Sequence, residues 1–202
     1  MNNCIIHNLQ SPISLCMKHS LNLSDNIINK KYGHNCNSKY DKIHKIYIVS
    51  DDIYLKFNHK KYKLYEYHFH TPGEHKIDGK IYPGEIHYVY LKYDHNYSNK
   101  YTNVIDICGN KKIDIEDILV IGYGIKNKHN RINLNNMKIY KPSTYYLYDG
   151  SLTTPNYGPV KWIVSKDIIR LNIDQLKFIS KDARSLQHKN NRIILLHNDG
   201  IR

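Results

Sequence analysis

Residues 65–91 read YEYHFHTPGEHKIDGKIYPGEIHYVYL, and the two strands inside this stretch decide the fold. The first carries His68-Phe69-His70, two histidines at i and i+2. Successive side chains of a β-strand project to opposite faces, so both imidazoles leave one face while Tyr67 and Phe69 leave the other. A polar, Gly/Pro-punctuated connection follows. Then comes Glu85-Ile86-His87-Tyr88-Val89-Tyr90, where the same period groups Glu85, His87 and Val89. If the two strands pair across the connection, three imidazoles meet at one point. Three neutral imidazoles with a fourth position open form the donor set of a catalytic zinc rather than a structural one.

The chain holds 13 histidines, so an HxH pair also arises by chance. A lone strand histidine is ordinarily a hydrogen-bonded surface or core residue. The neighbouring carboxylates strengthen the metal reading, because ligating imidazoles usually donate their second ring N–H to an acceptor that fixes tautomer and orientation. Glu66 stands two residues before His68, and Glu85 two before His87, each on its neighbour's face. Without the histidines, either would read as an exposed strand glutamate.

This run resembles the zinc-binding core of the α-class carbonic anhydrases, with HxH at His68 and His70 and E-x-H at Glu85 and His87. The family's G-x-E-H element is matched by Gly73-Glu74-His75, without the intervening residue. Other words agree. Gln10-Ser11-Pro12-Ile13, by itself a turn, is the word that opens the family's domain. Ile118 to Ile125, ILVIGYGI, reads alone as a strand buried on both faces, and it resembles the family's L-x-V-L-G-x-x-L strand. Gly150-Ser151-Leu152-Thr153-Thr154-Pro155 is an ordinary hydroxyl-rich turn in isolation and the family's signature in context. Arg184-x-x-Gln187-x-x-x-Asn191-Arg192, alone a basic tail, stands at family spacing.

The resemblance, from Gln10 to Arg192, implies a zinc-dependent enzyme that hydrates CO2 to bicarbonate and a proton. It implies Zn2+ held by His68, His70 and His87, with Glu66 and Glu85 supporting the imidazoles. Thr153 would accept a hydrogen bond from zinc-bound hydroxide and pass its own to Glu74. Val89, Val120, Leu152 and Trp162 would form the apolar wall that holds CO2, and Thr154 would stand where bicarbonate leaves. Two departures matter. Glu66 replaces the family's usual Gln. The family's efficient members carry a proton-shuttle histidine in an N-G-H turn, and aligning Leu55 and Phe57 with the family's strand leaves Asp51 at that position. His44 and His59 lie in neighbouring turns or strands, but nothing in the sequence puts either at the mouth of the site.

The rest of the chain bounds the reading. Its 202 residues suit one domain, 1–202. Few segments carry a helical apolar repeat, so the expected fold is mainly β (α+β), around a large, twisted, mostly antiparallel central sheet. Ile43 to Phe57 alternates as strand, with turns at Ser50-Asp51-Asp52 and Asn58 to Lys61. Residues 18–42 and 126–144 read as polar connections, and Ile173 to Phe178 as a short helix N-capped by Asn172. Lys+Arg of 30 against Asp+Glu of 18 gives a net charge of +12, a field that favours anionic partners. The lysines are dispersed, and with 19 Tyr and a single Trp the composition also fits an AT-rich genome. Cys4, Cys16, Cys36 and Cys108 form no CxxC pair, which excludes a zinc finger. MNNCIIHNLQSPIS lacks a charged n-region and an apolar h-region, and no apolar run reaches about 18 residues, so a soluble cytoplasmic protein is expected. The expected partners are CO2 and bicarbonate, with weak binding of anionic polysaccharide, no specific nucleic acid and no membrane. The competing class is a non-catalytic relative that binds anionic polysaccharide.

Overall fold

The computed structural model describes residues 9–23, 28–29, 34–93, 114–155 and 157–198. In chain order its strands are β1 (Ser14–Leu15), β2 (Leu21–Leu23), β3 (Ile28–Asn29), β4 (Asn35–Asp41), β5 (Ile46–Val49), β6 (Tyr54–Phe57), β7 (Lys60–His70) and β8 (Lys76–Ile77). They continue with β9 (Lys80–Ile81), β10 (Gly84–Lys92), β11 (Ile118–Asn127), β12 (Asn136–Lys138), β13 (Thr144–Ser151), β14 (Pro159–Leu171) and β15 (Leu195–Asn198). A short helix, α1 (Ile173–Leu176), follows β14, and Asn172 caps it by accepting Gln175 N–H at 2.9 Å.

The architecture is mainly β. A 12-stranded sheet runs β12-β4-β5-β7-β10-β11-β14-β13-β15-β2, with β3 and β6 attached beside β7. Its ladders are antiparallel except at β11–β14 and β15–β2. The apolar run read as a doubly buried strand is β11, wedged between β10 and β14. Leu119, Ile121, Tyr123 and Ile125 pack on one face, with Tyr67, Phe69, Ile86 and Tyr88. Ile118 and Val120 pack on the other, with Val89, Tyr146, Tyr148 and Trp162. Covering both faces explains why the run shows no polar alternation. The β6–β7 hairpin turns on Asn58 and His59, at φ 46 and 61, the left-handed pair whose twist matches that of the flanking strands.

Two polar stretches depart from expectation. Residues 18–42 include β2 and β4, and only Cys36 is buried in β4. A strand with one buried residue shows no apolar period, and backbone pairing to β5 and β12 carries it instead. Residues 126–144 include β12 and are pinned by tyrosines. The hydroxyls of Tyr67, Tyr88 and Tyr123 donate to the carbonyls of Leu134 (2.6 Å), Lys138 (3.0 Å) and Tyr140 (2.7 Å). A buried Tyr supplies an apolar ring and a polar tip together, so much of the tyrosine enrichment is core. Cys4 and Cys108 lie outside the described residues. Cys16 and Cys36 are free thiols, and burial pushes Cys36 up to about 12, which keeps it protonated and inert. No helix among the described residues is long and apolar enough to cross a membrane.

Candidate active site

The ladder between β7 and β10 sets His87 directly opposite His68 and Glu85 opposite His70. Period two then gathers Glu66, His68, His70, Glu85, His87 and Val89 on one face. The row continues across the sheet. Val89 pairs with Glu66 on one side and Val120 on the other, Val120 pairs with Trp162, and Trp162 with Tyr148. His87 faces Gly122, where an added Cβ would lie 3.0 Å from Glu85 Oε1 and 3.5 Å from His87 Cδ2. The missing side chain there gives the Glu85 carboxylate its room.

His68, His70 and His87 are buried, and each offers one ring nitrogen within 4.8 Å of the others. Their other ring nitrogens are engaged. His68 Nδ1 lies 3.1 Å from Glu66 Oε1, His70 Nδ1 lies 3.1 Å from the Asp182 carbonyl, and His87 Nε2 lies 2.9 Å from Glu85 Oε1. That leaves His68 Nε2, His70 Nε2 and His87 Nδ1 to converge. His70 Nε2 is buried without a hydrogen-bond partner, an arrangement that costs free energy unless something binds there. Burial, aided by neighbouring cations, holds His68 and His70 well below the usual histidine range, so both are neutral at pH 7. Converging imidazole nitrogens, one of them buried without a partner, fit a metal ion.

Glu85 is the hub beneath the cluster. Its Oε2 accepts the N–H groups of Glu74 and His75, both at 2.8 Å. Its Oε1 takes His75 Nδ1 at 2.6 Å as well as His87 Nε2. Burial alone would raise this carboxyl, but His75 and His87 outweigh it and hold Glu85 well below the usual carboxylate range. The chain of contacts runs on from His75 Nε2 to Tyr148 Oη at 2.6 Å, and from there to Ser11 Oγ at 3.1 Å. Glu74 Oε1 accepts Arg184 N–H at 2.8 Å, while its Oε2 is buried without a partner of ordinary hydrogen-bond geometry. Burial raises Glu74, opposed by His87, by the Thr153 hydroxyl and by the Arg184 N–H.

The remaining expected residues fall unequally. Val89, Val120 and Trp162 are 1% exposed, and Leu152 (9%) and Thr153 (8%) join them in the wall. Trp162 packs 4.8 Å from the rings of both His75 and His87, and its Nε1–H donates to Ser151 O at 2.8 Å. Thr154 is half-buried at the turn. Asp51 is not brought to the cluster. Its carboxylate accepts Asn37 N–H at 2.7 Å, and it lines a separate cavity with His34, Asn35, Asp52 and Ile53. The β4–β5 hairpin tip, just beyond the pairing of Tyr47 with Tyr67, carries His44. There, His44 Nδ1 lies 2.8 Å from Asp41 Oδ2, and its charge acts on Glu66. Lys45 Nζ donates to Ser180 O at 3.0 Å, tying that tip to the segment beside His70.

Sequence reasoning gave no role to His75, Tyr148, Ser11, Asp182 or Arg184. The Gln10–Ile13 word and the basic tail turn out to be one unit. Arg184 donates to Ser11 O and Gln10 Oε1, both at 2.8 Å, Arg192 donates to Gln10 O at 2.7 Å, and Gln187 N–H donates to Pro12 O at 2.7 Å. The co-occurrence of the two words at family spacing was the only signal for this, and the Asp182 contribution is a backbone carbonyl, which no side-chain pattern reveals.

Comparison with known proteins agrees with this geometry. The eukaryotic-type carbonic anhydrase family matches residues 1–198. Carbonic anhydrase Nec1 of Nesocodon mauritianus is 29% identical over 159 residues, 71% of this chain and 58% of that protein. A carbonic anhydrase of Nostoc sp. is 28% identical over 149 residues, 70% of this chain and 56% of that one, so the chain spans less than two thirds of either. Among solved structures, the Photobacterium profundum α-carbonic anhydrase aligns with a TM-score of 0.71 at 20% identity, covering 96% of this chain and 91% of that one. Dioscorin complexed with ascorbate aligns at 0.69 and 18%, covering 93% and 85%. At these identities the structural likeness concerns the fold. With a family match over nearly its whole length, this chain belongs to the eukaryotic-type carbonic anhydrases.

Proposed function

We propose that the protein is a zinc-dependent carbonic anhydrase, converting CO2 and water to bicarbonate and a proton. One observation carries the reading: three buried imidazole nitrogens converge within 4.8 Å while each ring's other nitrogen is held by an acceptor. His68 Nε2, His70 Nε2 and His87 Nδ1 would hold Zn2+. When bound, zinc lowers the pKa of a coordinated water to roughly 7, so that hydroxide is available at neutral pH; the enzyme of this family is the usual example of that magnitude.

The chain's own residues do the rest. Glu66, the Asp182 carbonyl and Glu85 fix the three tautomers. The Thr153 hydroxyl, one of the groups that hold Glu74 down, would donate to that carboxylate and keep its own oxygen as an acceptor that orients the attacking oxygen. Val89, Val120, Leu152 and Trp162 exclude water and hold CO2, a weakly polar substrate. Thr154, at the open end of the turn, stands where bicarbonate departs. The proton leaves through His44, which is half exposed at the hairpin tip and held by Asp41. An imidazole can both take up and release a proton, whereas Asp51 is committed to β4. Stopped-flow CO2 hydration with metal analysis tests the proposal.

A second role rests on a separate surface. Lys126 and Arg170 stand side by side on the parallel strands β11 and β14, and Lys128 N–H bonds Leu171 O beside them. Lys126, Lys128 and Arg170 are exposed and together form a cationic strip. Such a strip suits weak, salt-sensitive binding of an anionic polysaccharide.

A further inference from the structure

The turn that carries Thr153 and Thr154 lies between β13 and β14, whose pairing at Ser151 and Pro159 holds its two ends. Two backbone hydrogen bonds close it: Leu152 N–H to Gly158 O at 2.8 Å, and Tyr157 N–H to Thr154 O at 3.1 Å. Within it Tyr157 takes φ 37, the left-handed region that is costly for a residue with a Cβ. A tyrosine persists there only where its surroundings over-determine it. Here they do. Arg184 Cζ stands over the Tyr157 ring, 3.9 Å from its centre, a cation–π stack between two half-buried side chains.

Arg184 is not free to follow the turn. Its Nη1 donates to Ser11 O and its Nη2 to Gln10 Oε1, both at 2.8 Å. The N-terminal segment thus holds the edge of the planar guanidinium and leaves its flat face for the ring. The backbone N–H of the same residue donates to Glu74 Oε1 at 2.8 Å. Arg184 therefore touches both halves of the pair proposed to orient the attacking oxygen. Its main chain fixes Glu74, and its side chain meets the turn that carries Thr153. The ring stack is a contact that ties the tip of the turn to the segment holding Glu74.

We infer that Tyr157 is a positioning residue: stacked on the Arg184 guanidinium, its ring holds the Thr153–Thr154 turn in register with Glu74. This rests on the roles proposed above for Thr153 and Glu74. The test compares Tyr157→Leu, which keeps apolar bulk without a π face, with Tyr157→Phe, which keeps the face and loses the hydroxyl. Two readouts are taken on the full chain. In the protein as purified, hydrogen exchange is followed at the Leu152 amide, whose bond to Gly158 closes the turn. Tyr157→Leu should speed that exchange by about tenfold, the scale of one cation–π contact, while the amides of β11 keep their wild-type rates. In zinc-loaded protein, CO2 hydration is measured by stopped flow over a range of buffer concentrations. Bicarbonate departs before the site sheds its proton, so kcat/KM reports the orienting of the attacking oxygen, and kcat in dilute buffer reports the relay. Tyr157→Leu should lower kcat/KM about fivefold and leave kcat in dilute buffer within about twofold. Tyr157→Phe should match wild type within about twofold in both readouts. A merely structural defect would shrink the active fraction and lower kcat and kcat/KM together. That equal fall, or Tyr157→Leu and Tyr157→Phe behaving alike in either readout, would overturn the inference. A wild-type protein that takes up no zinc would instead sink the proposed function, and the amide exchange would still decide whether the stack holds the turn.

Discussion

Glu85→Gln is nearly isosteric, yet the geometry makes it severe. The carboxylate meets four donors: two backbone N–H groups at Oε2, and His75 Nδ1 and His87 Nε2 at Oε1. A carboxamide has one acceptor oxygen. If that oxygen keeps the backbone pair, the new NH2 confronts two imidazole N–H groups. His87 can relieve the clash only by shifting its proton from Nε2 to Nδ1, the nitrogen that faces His68 and His70, and a protonated nitrogen cannot ligate. Each lost charge-assisted bond is worth about 1.5–3 kcal/mol, and a shifted tautomer should weaken metal affinity by 10- to 100-fold, or about 1.4–2.7 kcal/mol. The assay is competition for zinc against a chelator of known affinity, with urea unfolding of the metal-free variant beside it. Zinc affinity within twofold of wild type would refute the claim that Glu85 sets the His87 tautomer.

Three further outcomes follow from the same geometry. His44→Ala should cut turnover in dilute buffer by about tenfold or more, with recovery on added imidazole, while Asp51→Ala should leave it unchanged; the reverse pattern in stopped-flow assays would return the relay to the β5–β6 turn. In metal-free protein, His68 and His70 are depressed well below 6.5, so the stability they contribute is present above about pH 6.5 and lost as pH falls toward their folded values, at up to about 1.4 kcal/mol per pH unit for each. Buried Glu66 and Glu74 are raised and act in the opposite sense, so the check is urea unfolding from pH 7.5 to 5.5 against His70→Ala, whose slope should be shallower. Lys126→Glu with Arg170→Glu should elute from heparin at clearly lower salt than wild type, and unchanged elution would make the cationic strip irrelevant to polyanion binding.

Much of this site was legible because it obeys period two. Once β7 and β10 pair, HxH and E-x-H place four of the key side chains without further information, and the alternation of Val89 and Val120 adds the wall. The network below was not legible. His70 and Asp182 are 112 residues apart, and His75 and Tyr148 73 apart, and only sheet order joins them. The relay proposed at His44 was not legible for a local reason. Ile43 to Phe57 contains two turns, and placing the first of them depends on β4, a polar strand whose single buried residue, Cys36, gives no periodic signal. With β4 unseen, the hairpin tip at His44 could not be told from the later turn at Asp51. The parallel step from β11 to β14 is likewise silent in sequence, because a strand buried on both faces looks the same with either neighbour.

The central claim is that three imidazoles hold a zinc ion that this chain needs for CO2 hydration. The most direct measurement is stopped-flow hydration on one preparation, taken as purified, after chelation, and after one equivalent of zinc is returned. The expected result is activity lost on chelation and restored at one equivalent, with His68→Ala failing to recover under the same treatment. Hydration that persists in the metal-free protein, or a protein that binds one zinc at these histidines and hydrates no CO2, would contradict the account.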